Sequence, residues 1–164
     1  MPVLSVHVRS ADDDNPQGYF EFEAVKQLKT DRSWLDQAQG KAVKIIHMLL
    51  MDLPTDRSYR LVMMNRDLDE VMRSQAKMLE RSGKSGAGLP AERLKQMFKN
   101  QLATAREWLA KHDCFILQDI HYARLIDDPA SQAELINQFL GGNLDVNAMI
   151  TAIRPELYRN RPKV

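Results

Sequence analysis

Behind Pro90, apolar residues return at Leu94, Met97, Phe98, Leu102, Ala105, Trp108 and Leu109, always three or four positions apart or adjacent. Only an α-helix gathers such positions on one side. Proline just ahead of them suits a first helical turn, where its missing N–H has no intrahelical partner to lose. A long helix with an apolar stripe must bury it against other elements, so the remainder of the chain has to supply a packing layer. The 164 residues fall within the roughly 100 to 200 typical of one domain, and residues 1 to 164 are expected to form a single domain with a C-terminal helical extension.

The other segments read as follows. Residues 2 to 10 alternate, with Leu4, Val6 and Val8 apolar and Ser5, His7 and Arg9 polar between them, the period of a strand with one open face. Residues 12 to 18, with three acids, Asn15, Pro16 and Gly18, read as a loop. Tyr19, Phe20 and Phe22 fit either a second short strand or an aromatic lead-in. From Trp34, the positions Leu35, Ala38, Ala42, Ile45, Ile46, Leu49 and Leu53 predict an amphipathic helix that ends at Pro54, with Gly40 a weak point inside it. Residues 58 to 65 favour a short buried strand. Leu68, Val71, Met72 and Leu79 then make a helical stripe that Asp67 can cap. Residues 82 to 88 form a glycine-bearing loop. Residues 115 to 126 fit strand or helix; 129 to 140 and 145 to 153 read as short helices closed by Gly141-Gly142 and Pro155. The expected class is mainly α with one or two short β-strands, α+β.

Composition excludes several classes. Hydrophobic residues are 44% and charged residues 27%, an ordinary soluble balance, and no run reaches the roughly 18 to 20 apolar residues of a membrane span. Without a basic-then-apolar opening or a second cysteine to pair with Cys114, a soluble cytoplasmic protein with no membrane contact is expected. The net charge of +1 speaks against nucleic acid only if charge is evenly spread. It is not. Residues 71 to 111 carry nine bases against three acids, an excess of +6; residues 12 to 36 and 113 to 134 each stand at −4, and the last eleven residues at +3.

Gly83-Lys84-Ser85 imitates the end of a phosphate loop, but the earlier glycine that such a loop needs is replaced by Met78 inside a helix, so a hinge of small residues is the better reading. His7 and His47 stand alone, and neither His112 with Cys114 nor Asp119 with His121 has companions at zinc spacing. Cys114 lies beside Asp113, which disfavours its thiolate. Asp127-Asp128 before Pro129 reads as a helix start. No metal, cofactor or catalytic group is expected.

Nucleic-acid chemistry is better represented. Lys95, Lys99 and Arg106 fall within about 60° on the long helix, away from its apolar side, a stripe able to neutralise phosphates. A plain solvated helix face would look the same. Ser5, His7 and Arg9 on the open face of a ribbon strand have the donors and acceptors to read base edges, Arg9 suiting guanine, although any edge strand alternates in this way. Arg60, near Asn65 and Arg66, is a second candidate.

The run Arg60-Leu61-Val62 with Leu68-Asp69-Glu70-Val71-Met72-Arg73, followed by Leu89-Pro90-Ala91-Glu92-Arg93-Leu94, resembles the AcaB-like transcriptional activators of conjugative plasmids and integrating conjugative elements. Ser33-Trp34-Leu35 and Arg154-Pro155-Glu156-Leu157 with Arg159 and Arg161-Pro162 are similar too. The resemblance spans residues 30 to 164 through element order and scattered positions. It implies a ribbon-helix-helix-like module with additional helices and a DNA-binding activator of transfer genes. Such a ribbon takes a strand from each subunit, so a homodimer on double-stranded DNA is expected, with RNA polymerase as a further partner. Ser5, His7, Arg9, Arg60, Arg66, Lys95, Lys99 and Arg106 are the expected DNA contacts. The alternative is a helical protein-interaction module, a chaperone or antagonist of a mobile-element protein, that uses some of its nine methionines to grip a partner.

Overall fold

The computed structural model describes residues 1–5, 11–12, 15–81, 83 and 89–158. They form a mixed α+β structure made of two compact units. One comprises Met1–Arg57 and Lys99–His112; the other comprises Ser58–Phe98 and Asp113–Val164.

In the first unit the expected helix from Trp34 to Leu53 does not form. Two 3₁₀ turns, Ser33–Ala38 and His47–Asp52, replace it, after an earlier one at Glu23–Gln27. The break falls at Gly40, whose φ of +70° is left-handed and open to glycine without the clash a Cβ would bring. Beyond it Ala42 is drawn into an isolated parallel bridge with Val3: Leu4 N–H donates to the Ala42 carbonyl at 2.9 Å and Ala42 N–H to the Pro2 carbonyl at 2.9 Å. A pairing partner outside the segment has won over local helical period. Leu35, Leu50 and Leu53 are buried nonetheless, with Tyr19, Val25, Leu28, Trp34, Ala105 and Leu109, whereas Ile46 is exposed. Tyr19, Phe20 and Phe22 make no strand; Phe22 meets Trp34 edge-on at 5.3 Å. At the amino end the expected strand is represented by the Val3 bridge alone, and residues 6 to 10 of that reading lie outside the described residues.

The second unit holds the regular elements. Strand β1 (Tyr59–Asn65) lies parallel to β2 (Phe115–His121), in register from Tyr59 opposite Phe115 to Asn65 opposite His121. Parallel neighbours need a long crossover, and here helices α1 (Leu68–Arg81) and α2 (Ala91–Ala110) lie between them in sequence. Asp67 caps α1 as the sequence predicts: its Oδ1 accepts the N–H groups of Asp69 at 2.8 Å and Glu70 at 3.1 Å. Pro90 sits one residue ahead of α2, its carbonyl accepting from Arg93 and Leu94.

The ambiguous stretch from Phe115 resolves as strand first and helix second, β2 followed by α3 (Tyr122–Asp127). Helix α4 (Pro129–Phe139) packs against β2, α3 and α5 (Val146–Ala152), and Ile120 is sealed from solvent. Asp128 and Asp145 cap α4 and α5 through Ser131 N–H and Ala148 N–H. Gly141 and Gly142 end α4 with φ of +109° and +78°. The buried Asn137 fastens that turn, its Oδ1 accepting Leu144 N–H at 2.9 Å. Among the described residues β1 has β2 as its one strand neighbour, whereas a ribbon-helix-helix ribbon is an antiparallel pairing between subunits.

Candidate functional site

Of the expected DNA contacts, Ser5, Lys99 and Arg106 belong to the first unit and Arg60, Arg66 and Lys95 to the second. Ser5 is half-buried, and His7 and Arg9 lie outside the described residues, as do Arg159, Arg161 and Lys163. Arg60, exposed on β1, is engaged within the protein: its Nη1 donates to the Phe139 carbonyl and its guanidinium lies 5.7 Å from the Phe139 ring centre. Lys95 reaches back from α2 to Asp69 at 2.5 Å, and that carboxylate holds its ammonium above the ordinary lysine range. Lys99 is exposed and Arg106 half-buried. Of the expected stripe, Lys99 is the member that presents an exposed side chain.

A different basic face is complete. On α1, Arg73, Lys77 and Arg81 are spaced four apart and all three are exposed. At about 100° per residue they span roughly 80° and lie opposite Leu68, Val71, Met72 and Leu79. That face was legible in the spacing; the acids at 69, 70 and 80 obscure it in a count of charge.

Arg66 leads to a second site. It precedes α1 by two residues and its Nε donates to Glu70 Oε2 at 3.0 Å. Glu70 is 2% exposed, and its Oε1 accepts the Tyr158 hydroxyl at 2.6 Å. A buried carboxylate is tolerable only when charge and hydrogen bonds compensate it, and these two donors do so. The Arg66 guanidinium lies 4.9 Å from the Tyr122 ring centre and 5.3 Å from that of Tyr158, and the two rings meet edge to face at 5.1 Å. Cation–π contact on two rings fixes the guanidinium plane.

These groups line a cleft of about 530 Å³ with Asn65, Asp67, His121 and Ala123. It opens where β1 and β2 both end, beside the start of α1. Open α/β sheets hold ligands at the carboxyl ends of parallel strands. Asn65 is set by its bond to Asp119 Oδ1 at 2.6 Å. Sequence reasoning missed Glu70, Tyr122 and Tyr158 as a group: the four-residue step from Arg66 to Glu70 was the one signal, but the 88-position separation of Glu70 and Tyr158 carries none.

Among the described residues no three His, Cys, Asp or Glu side chains group to hold a metal, and no helix is long and apolar enough to cross a membrane. No protein-family model matches the chain, and neither does a curated protein or a solved structure.

Proposed function

We propose that the protein is a double-stranded-DNA-binding regulator that acts as a homodimer, with α1 rather than the amino-terminal strand as its principal phosphate-contacting element. The observation that carries this reading is the exposed run of Arg73, Lys77 and Arg81 on one side of a capped, 14-residue helix. Cations fixed along a helix neutralise successive phosphates and release their counterions. The resemblance to AcaB-like activators supports the narrower reading, activation of transfer genes, and Met64, Met78 and Met97, each at least 40% exposed in the second unit, supply apolar surface for a second copy.

Replacing Arg73, Lys77 and Arg81 together by Gln should abolish gel-shift retention at physiological salt and flatten the salt slope of log K by about 3, roughly one for each phosphate no longer neutralised. The folded state should lose no more than about 0.5 kcal/mol, since all three are surface positions. Equal affinity and slope for the two proteins would refute the assignment.

Six of the nine methionines, Met1, Met48, Met51, Met64, Met78 and Met97, are exposed, which favours the interaction-module reading as the second choice. Adaptable thioether side chains suit a binding surface. No salt-dependent retention of any duplex by the unmodified protein would select it.

A further inference from the structure

We infer that the cleft at the ends of β1 and β2 is a site for a single oxyanion group, phosphate or carboxylate, held by Arg66, Tyr122 and His121. Of the two acids lining the cleft, Glu70 is saturated by Arg66 Nε and the Tyr158 hydroxyl. Asp67 accepts two helix N–H groups. Both bonds to Asp67 fall on Oδ1, so Glu70 is the acid whose two oxygens are each engaged.

The donors are in the opposite condition. Among the described residues Arg66 bonds through Nε alone, which leaves both Nη groups without a protein acceptor, and no hydrogen bond involves the Tyr122 hydroxyl or the His121 ring. All three side chains line the same cleft. A guanidinium whose plane is locked by two rings and a carboxylate, with its outer edge unused, is a preorganised fork for two oxygens. Preorganisation spares the ligand the cost of ordering that side chain.

The surroundings favour the same sign of ligand. Residues 70, 73, 77 and 81 follow one face of α1, so Arg73 lies one turn beyond Glu70 and the basic run extends away from the cleft. The three cations on that face outnumber the two acids of the cleft. A cleft of about 530 Å³ is the size that small ligands occupy. The oxyanion has two possible sources, a free small molecule or a phosphate of bound DNA, and the recognition chemistry is common to both.

The test uses the full chain with inorganic phosphate and, separately, malonate as probes, followed by calorimetry and by backbone amide shifts. Saturable binding of one anion per chain is expected, with shifts centred on Asn65, His121 and Tyr122. Arg66→Lys should weaken it about tenfold by removing the fork, and Tyr122→Phe about threefold. Tyr122→Phe deletes a hydroxyl that has no partner among the described residues, so its fold is not at risk and the proposal stays testable if Arg66→Lys misfolds. Displacement of phosphate by a short duplex identifies the DNA backbone as the source, and simultaneous binding identifies a free anion; both support the site. Absence of saturable binding up to roughly 20 mM, or affinities unchanged in both variants, overturns it. The triple Gln variant of α1 should retain phosphate binding within about threefold while losing duplex, so failure of the cleft and failure of the DNA reading are distinguishable.

Discussion

The first turn of α1 and the turns that follow use the same residue types to opposite ends. Arg66 just precedes α1 and Glu70 lies on the same face as Arg73, Lys77 and Arg81, yet Glu70 is 2% exposed while the three later cations are on the surface. The difference comes from what crosses that face. Tyr122 follows β2 directly, and Tyr158 arrives from the carboxyl end of the described residues; together they cover Arg66 and Glu70 at the start of α1. Charges under the roof hold the unit together, and charges beyond it lie where a partner can reach them. Sequence neighbours on one helix thus acquire different roles from contacts made far along the chain.

The sharpest way to break this contrast is Glu70→Ala. It strands the Arg66 guanidinium and the Tyr158 hydroxyl, and should cost about 3 kcal/mol in urea unfolding, the low end for breaking a buried ion pair because Arg66 keeps some exposure. A cost below about 0.5 kcal/mol, the range of an ordinary surface change, would mean that the first turn is no different from the rest.

Tyr158→Phe isolates the roof. It keeps both ring contacts and removes one hydrogen bond to a buried carboxylate, worth about 1.5 kcal/mol. The same experiment should leave duplex affinity untouched, because Tyr158 lies off the exposed stripe. Coincident loss of stability and DNA binding would show that the two regions act as one.

The smallest effect concerns Lys95, which ties the start of α2 to Asp69. Its ammonium is held above the ordinary 10.5 by the hydrogen bond to Asp69, which outweighs desolvation, with weaker help from the charges of Asp69, Glu92 and Asp67. A raised folded value means that the stabilisation is fully present below the unfolded value and is lost as pH rises through the folded one. The gap between wild type and Lys95→Met in urea midpoint should therefore be constant from neutral pH to about 10 and close above it. A gap of the same size at the alkaline end would assign it to packing instead of charge.

Local signals were legible where a segment satisfies itself. Asp67 before a periodic run, Pro90 before another and Gly141-Gly142 after a third each marked a boundary that the backbone keeps, because capping and left-handed turns are decided within a few residues. The same reasoning overextended the helix from Trp34, where Val3 supplied a competing partner for Ala42. It also left residues 115 to 126 open, because short apolar runs fit either period until a neighbouring strand exists.

The candidate site divides in the same way. By itself the chain determined α1 with its Asp67 cap, α2, the strand at Tyr59 to Asn65 and the concentration of positive charge between residues 71 and 111. Tertiary structure alone decided that β1 pairs with β2 in parallel, that Arg60 reaches Phe139, Arg66 Glu70 and Lys95 Asp69, that Arg73, Lys77 and Arg81 are exposed, and that Glu70 meets Tyr158 in a cleft. Periodicity and capping are short-range and can be read from neighbours. Burial and charge pairing depend on which distant residues arrive, and a charged side chain takes its role from the partner it finds there.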